Sequence, residues 1–370
     1  MTRASAPITP TSAPDAASPS IRVLLVDDSG VSRALMAQWL HDDPGIRVVA
    51  TAANGADAIA AAKAHPVDVI VLDVEMPGMD GIAALPRLVE AAPGARILMA
   101  STLTTRGARV TFEALNLGAT DAIAKPRSGW ATAAGPEFRD EFVRKVRALG
   151  EIERPRARPR RVPVSAPAPY TRAEPSRAVP RVIAIGASTG GPNALFELIE
   201  QLPKPLRVPI IVTQHMPPTF TAILAEHMAR RGSVQAFEAV DRMPVQPGVV
   251  YVAPGGRHME VVRAGGVVRL RLTDALPENF CRPSVNPMLR TAANVWGAAT
   301  LGVMLTGMGS DGLDGARAVV AAGGTMLAQD QASSVVWGMP GAVVKAGLAA
   351  EMLPVSGLAS AIGCLLDAGR

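Results

Sequence analysis

Val182-Ile183-Ala184-Ile185-Gly186-Ala187-Ser188-Thr189-Gly190-Gly191-Pro192 is an apolar run that stops at a glycine-rich turn. Beyond the turn, Leu195, Leu198, Ile199 and Leu202 recur at i, i+3, i+4 and i+7, the apolar stripe of a helix. The stretch reads as buried strand, tight turn, helix. It sets Ser188 at a helix N-terminus, where free backbone N–H groups and the positive end of the helix dipole can hold negative charge. Glycines at 186, 190 and 191 allow the bend and a close approach by another molecule. The string also satisfies G-x-S-x-G, a nucleophile elbow. Turns of this kind also bind phosphate or no ligand at all, and a serine hydroxyl needs a base. What else the chain offers therefore decides the chemistry.

Working outward, residues from Arg181 onward repeat the strand-then-helix pattern. Strands are expected at 182–187, 208–213, 249–252, 301–306 and 324–328, with a β-hairpin over 255–272 turning at Gly265-Gly266. Helices are expected near 193–202, 219–230, 286–295, 312–322, 341–346 and 357–367. Such alternation predicts a second, mostly parallel doubly wound sheet with a site beyond its strand ends.

Three histidines lie in this half: His215, His227 and His258. His215 follows a strand and is placed to act as a base, whereas His227 sits within a helix and His258 opens a hairpin strand, where structural roles are expected. Among the carboxylates, Asp311 follows a strand within the turn Gly307-Met308-Gly309-Ser310-Asp311-Gly312. Its alternative role is to cap the next helix. Ser188, His215 and Asp311 thus come off three strand ends, in the arrangement of a serine hydrolase: nucleophile, proton shuttle and tautomer holder. Their order differs from that of α/β-hydrolases, so the elbow does not argue for that fold.

The first half reads as a smaller sheet of the same class. Strands over 22–26, 47–50, 68–72, 96–100 and 121–124 alternate with helices near 31–40, 56–64, 110–117 and 138–149. The strand ends carry Asp27, Asp28, Asp73, Ser101 and Lys125. Three carboxylates with a lysine suit a hard cation such as Mg²⁺ beside an aspartate that accepts a phosphoryl group, with a hydroxyl and an ammonium to hold the new oxygens. Residues 21–149 resemble a response-regulator receiver domain, on the acidic pair, on Val71-Leu72-Asp73-Val74-Glu75-Met76-Pro77-Gly78-Met79-Asp80-Gly81, on Ser101 and on Lys125-Pro126. The resemblance implies Asp73 as phosphoacceptor, Asp27, Asp28 and Asp73 as Mg²⁺ ligands, and Ser101 and Lys125 as the phosphorylation switch. Where such domains often carry a switching aromatic, this chain has Ala122.

The stretches 185–192, Gln214-His215-Met216-Pro217 and Thr306–Gly312 resemble the chemotaxis protein-glutamate methylesterases. With the receiver in front, the resemblance covers about 350 residues. It implies hydrolysis of glutamate γ-methyl esters and deamidation of selected glutamines on chemoreceptor cytoplasmic helices, with no cofactor for the hydrolysis. Ser188, His215 and Asp311 fall on the family's triad, and Thr189 and Met308 on its active-site surroundings. Phosphate would come from a chemotaxis histidine kinase, and the unphosphorylated receiver would pack against the esterase and obstruct receptor access. Members often have a histidine before Arg-Pro-Ser-Val, where this chain has Cys281.

The whole is expected to be α/β: a disordered tail over 1–20, a five-stranded receiver sheet over 21–149, a Pro/Arg-rich linker over 150–180, and a larger Rossmann-like esterase domain with a β-hairpin over 181–370. The 370 residues exceed one ordinary domain. Seven arginines against three glutamates in 151–180 supply most of the net charge of +5, so no basic nucleic-acid face is indicated. A DNA-binding output would want a basic recognition helix after the linker, and a nucleotide loop a G-K-[ST]; neither follows. Cys281 and Cys364 offer neither a disulfide framework nor zinc-ligand spacing, which points to a reducing cytosol. Cys281 stands far in sequence from the strand-end turns and reads as neither nucleophile nor metal ligand. No run has the length of a membrane span, and a cytoplasmic location without membrane insertion is expected.

Overall fold

The computed structural model describes residues 20–125, 136–151 and 171–368. The tail and most of the linker read from sequence, together with Pro126, lie outside these residues.

Five short apolar runs build the first sheet. Strands β1 (Ile21–Val26), β2 (Ile46–Ala52), β3 (Val69–Asp73), β4 (Arg96–Thr102) and β5 (Asp121–Lys125) are all parallel, in the order β2-β1-β3-β4-β5. Central β3 is buried along its whole length, which is why it reads as continuous Val-Ile-Val-Leu and not as alternation. Helices α1 (Gly30–His41) and α5 (Pro136–Gly150) flank the sheet with α2 (Gly55–Ala64), α3 (Gly81–Ala91) and α4 (Thr105–Asn116). Ser29, Asn54, Asp80 and Thr104 cap α1 to α4, each side-chain oxygen accepting a first-turn N–H.

The second sheet has seven parallel strands in the order β14-β13-β12-β6-β7-β9-β8. They are β6 (Val182–Ala187), β7 (Ile210–Gln214), β8 (Gln235–Glu238), β9 (Val249–Val252), β12 (Thr300–Met304), β13 (Thr325–Gln329) and β14 (Glu351–Leu353). Strands β10 (His258–Ala264) and β11 (Val267–Thr273) form the expected antiparallel hairpin, with φ of 58° and 80° at Gly265 and Gly266 in the turn. Helices α6 (Gly191–Gln201), α7 (Phe220–Gly232), α8 (Val285–Trp296), α9 (Leu313–Ala321), α10 (Met339–Lys345) and α11 (Val355–Asp367) cover it. From β6 the chain steps outward through β7 to edge strand β8 and returns to set β9 between them; after α8 it continues outward through β12 on the other side. The winding reverses between β6 and β12, which opens a crevice at their carboxyl ends.

The end of the stretch read as linker lies against this second sheet: Ser176 N donates to Thr325 Oγ1 at 2.8 Å and Ser176 Oγ to Ala298 O at 2.9 Å. The two sheets also meet through α4, which packs on α6 and α7. Phe112 lies 6.1 Å from Phe196, centroid to centroid, and the interface rim carries Arg109 with Glu226 at 3.1 Å and Arg231 with Asn116 at 2.9 Å.

Candidate active site

Strands β6 and β7 pair Ala187 with Gln214, so Ser188 and His215 are the first residues beyond two adjacent strand ends. His215 N donates to Ala187 O at 3.1 Å, while Ser188 N donates to Thr306 O at 3.0 Å, just past β12. Gln214 Nε2 donates to the carbonyls of both Ser188 (2.9 Å) and His215 (3.1 Å), which clamps the two turns together. The bend at Gly190 needs φ of 76°, and a Cβ there would meet Val335 at 2.5 Å. At Gly307 a Cβ would lie 2.9 Å from that of Ser188, so the turn after β12 closes on the serine only as glycine.

Asp311 is 2 % exposed and carries four bonds. Its Oδ2 bonds His215 Nε2 at 2.8 Å and accepts from Val285 N at 2.7 Å; its Oδ1 accepts from Ser284 Oγ at 2.7 Å and Asn279 Nδ2 at 3.1 Å. Ser284 caps α8 and Val285 opens it, so the carboxylate faces a helix N-terminus. Burial pushes the Asp311 pKa up, but the His215 bond and the Ser284 and Val285 donors outweigh it and hold the group below the usual carboxylate range. Asp311 does not cap the following helix, whose N-cap is Gly312.

For His215, burial works against the imidazolium, but the bonds to Asp311 and then to Cys281 prevail and raise its pKa above the ordinary value. With Nε2 committed to Asp311, Nδ1 is the nitrogen left to accept a proton. It faces Cys281 Sγ at 3.5 Å. This corrects the reading that Cys281 stands apart. The segment between β11 and α8 crosses the carboxyl end of the sheet, and the Glu278–Cys281 bridge turns the thiol inward. Among the described residues, no hydrogen bond joins Ser188 Oγ to His215.

A cleft of about 480 Å³ opens over these groups. Ser188, Thr189, His215, Cys281 and Met308 line its floor, and Ala122, Ile123, Glu141 and Lys145 of the first sheet's layer line the opposite wall. Phe280, 92 % exposed, also lines it. Among the described residues, Thr189 Oγ1 and Gln214 Oε1 are buried oxygens without a hydrogen-bond partner. His258 is buried, accepting from Ser284 N at 3.1 Å, with Nε2 on Leu276 O at 3.1 Å. His227 stacks on Phe112.

At the carboxyl end of the first sheet, Asp27, Asp28 and Asp73 each offer an oxygen, all within 4.8 Å of one another. This all-oxygen donor set fits a hard divalent cation. Lys125 Nζ lies 2.7 Å from Asp73 Oδ2 and 2.9 Å from Asp27 Oδ2. Burial pushes the Asp73 pKa up to about 6, Lys125 pulling against it and Asp27 adding to it. Ser101 Oγ donates to Gly107 O at 3.0 Å, in the first turn of α4. β4 and β5 pair Thr102 with Lys125, so Ser101 and Lys125 share one sheet edge with Ala122 in the cleft wall.

An acidic pocket on one α/β sheet and a Ser, His and Asp cluster on another define a two-part protein, a receiver joined to a hydrolase. A response regulator receiver domain model matches residues 23–129, and a CheB methylesterase model matches 183–362. A protein-glutamate methylesterase/protein-glutamine glutaminase 1 of Paramagnetospirillum magneticum is 47% identical over 94% of this chain and 96% of its own length. One from a group 2 operon of Rhodospirillum centenum is also 47% identical, over 94% of each. The solved CheB methylesterase catalytic domain of Thermotoga maritima covers 51% of this chain and 100% of its own, with 39% identity and a TM-score of 0.50. The chain belongs to the protein-glutamate methylesterase/protein-glutamine glutaminase family.

Proposed function

We propose that this chain removes γ-methyl esters from glutamates, and ammonia from selected glutamines, on chemoreceptor cytoplasmic domains, and that phosphorylation of its receiver controls the rate. The observation that carries the reading is the 2.8 Å bond between buried Asp311 and His215, one strand from Ser188 in a cleft that the receiver roofs. Asp311 fixes the tautomer with hydrogen on Nε2, so Nδ1 takes the Ser188 proton as Oγ attacks the ester carbon. Methanol leaves with that proton, and water repeats the sequence to release the glutamate. Because Cys281 faces Nδ1, the contact between hydroxyl and imidazole forms as substrate settles, as in many hydrolases examined without substrate. Thr189 Oγ1, buried in the floor without a partner, is a donor free to meet charge developing on the carbonyl oxygen.

In the receiver, Asp27, Asp28 and Asp73 would hold Mg²⁺, which when bound neutralises phosphoryl charge. Asp73 accepts the phosphoryl group from a chemotaxis-type histidine kinase. Lys125 and Ser101 then hold its oxygens, which draws the Ser101 hydroxyl away from Gly107 at the start of α4. No helix among the described residues is long and apolar enough to cross a membrane, and we place the protein in the cytoplasm, where receptor signalling domains lie. The test is incubation with receptor carrying radiolabelled methyl esters, with and without a small phosphodonor and Mg²⁺. Methanol release that Ser188→Ala abolishes is expected; no release from any methylated receptor overturns the proposal.

A further inference from the structure

Among the described residues, two clusters could hold a metal ion, and their chemistry differs: one is all oxygen, while the other joins His215, Cys281 and Asp311. We infer that His215 Nδ1 and Cys281 Sγ form a site for a borderline-soft divalent cation of the zinc class, and that its occupation shuts the hydrolase down.

Three observations carry this. Tetrahedral zinc bonded to a thiolate at ~2.3 Å and an imidazole at ~2.0 Å holds those two donors about 3.5 Å apart. Cys281 Sγ and His215 Nδ1 lie 3.5 Å apart. Next, a metal-ligating histidine typically donates its other ring N–H to a carboxylate, which fixes the tautomer. His215 Nε2 already bonds Asp311 Oδ2 at 2.8 Å, and Asp311 is in turn held by Ser284, Val285 and Asn279. Finally, both donors line the cleft, so the remaining coordination positions face solvent for water, and the ion has an entry path. On binding, the Cys281 thiol gives its proton to solvent and its sulfur bonds the metal. The ion then sits on the lone pair of Nδ1, the one nitrogen that could take the Ser188 proton. Hard Mg²⁺ prefers the carboxylates of the receiver and leaves a thiolate site alone, so the two clusters do not compete for one ion.

The consequence for activity rests on His215 being the base; the site itself does not, and the test separates the two. The full chain is first saturated with Mg²⁺ and then titrated with Co²⁺. A thiolate-to-cobalt charge-transfer band is expected in wild type and in Cys364→Ser, which removes only the exposed thiol, and no such band in Cys281→Ser. Ester hydrolysis should be inhibited by Zn²⁺ and recovered with a chelator. Cys281→Ser, measured against its own metal-free rate, should need at least about tenfold more Zn²⁺. A missing thiolate band in wild type, or one that persists in Cys281→Ser, overturns the site. A band that depends on Cys281 together with equal zinc inhibition of both proteins overturns its link to activity.

Discussion

Phe112 of α4 stacks on His227 of α7, with ring centroids 5.0 Å apart and 26° between the planes. The contact joins the helix that follows strand β4, which carries Ser101, to the helix that follows the His215 strand, so α4 packs directly on the hydrolase layer. Phe112 is fully buried and also serves the receiver's own core, which makes it a poor place to probe the interface alone.

The exposed rim is a better one. Glu226→Arg should set like charges at the Arg109 contact and raise basal ester hydrolysis a few-fold, and adding Arg109→Glu should restore the low rate. An exposed pair is worth only ~0.2–1 kcal/mol, which bounds the effect. Rates for the two single variants and the swap, at low and high salt, check it. Equal rates in all four proteins would remove the rim from the gate.

Ser188→Ala should lose on the order of 10⁴- to 10⁶-fold in kcat while melting at the wild-type temperature. Among the described residues its hydroxyl makes no hydrogen bond, so little structure is lost with it. A single-turnover assay on methylated receptor fragments measures the change, and a residual rate within tenfold of wild type would assign the nucleophile elsewhere.

The sheets were legible because their central strands are buried on both faces and read as continuous apolar runs. Edge strands β8 and β14 were not, since Gln235–Glu238 and Glu351–Leu353 are short and half exposed. Helix α3 carries Pro86, which breaks the helical pattern in its sequence and hides its bounds. Asp311 could be picked out because it follows a strand in a glycine turn. Ser284 and Asn279 could not, and Cys281 only as a departure from the family pattern: each meets His215 or Asp311 across a sequence gap that no periodicity encodes. The wall of the cleft formed by Ala122 to Lys145 depends on how two sheets pack, and no local pattern contains that.

Ser284→Ala removes a fully buried hydroxyl that donates to Asp311 Oδ1 and accepts from Asn286 N at 3.2 Å. Loss of a cap and of a charge-assisted bond should cost about 1–2 kcal/mol of stability. Asp311 would also lose a donor that favours its ionised form, weakening its hold on the imidazole. kcat should fall more than KM rises, with Ser284→Thr partly restoring it; a purely structural role would leave the kinetics of the folded fraction unchanged.

The base must be neutral to act, so kcat/KM should rise with pH through the His215 pKa. Asp311 and Cys281 raise that pKa, so the rise is centred above 6.5. Cys281→Ala removes one raising influence and should move the midpoint to lower pH. Stability follows the opposite sign: a histidine whose folded pKa is raised contributes stability below about 6.5 that is lost as pH climbs through the folded value. Rate profiles and melting curves over the same buffers test both limbs. A Cys281→Ala midpoint at or above that of wild type would show that the thiol does not act on the imidazole.

Asp73→Asn should leave basal hydrolysis intact and abolish stimulation by a small phosphodonor with Mg²⁺. The dianionic phosphate at Asp73 would recruit Lys125, now 2.7 Å from the carboxylate, and compete with Gly107 O for the Ser101 hydroxyl. Both changes act on the edge formed by β4 and β5 and on the start of α4, the elements that face the hydrolase. A gate of ~1–3 kcal/mol corresponds to roughly five- to 150-fold in population. The small Ala122 side chain at the cleft wall gives no aromatic lever between the two sites, which sets the expectation toward the lower end. The chain truncated to residues 171–370, lacking the roof of the cleft, should hydrolyse faster than the unphosphorylated full chain and ignore phosphodonor. If the truncated chain is no faster while phosphorylation still stimulates the full chain, the receiver acts by positive activation or by recruitment to receptors, and obstruction of the cleft is the wrong account of the gate.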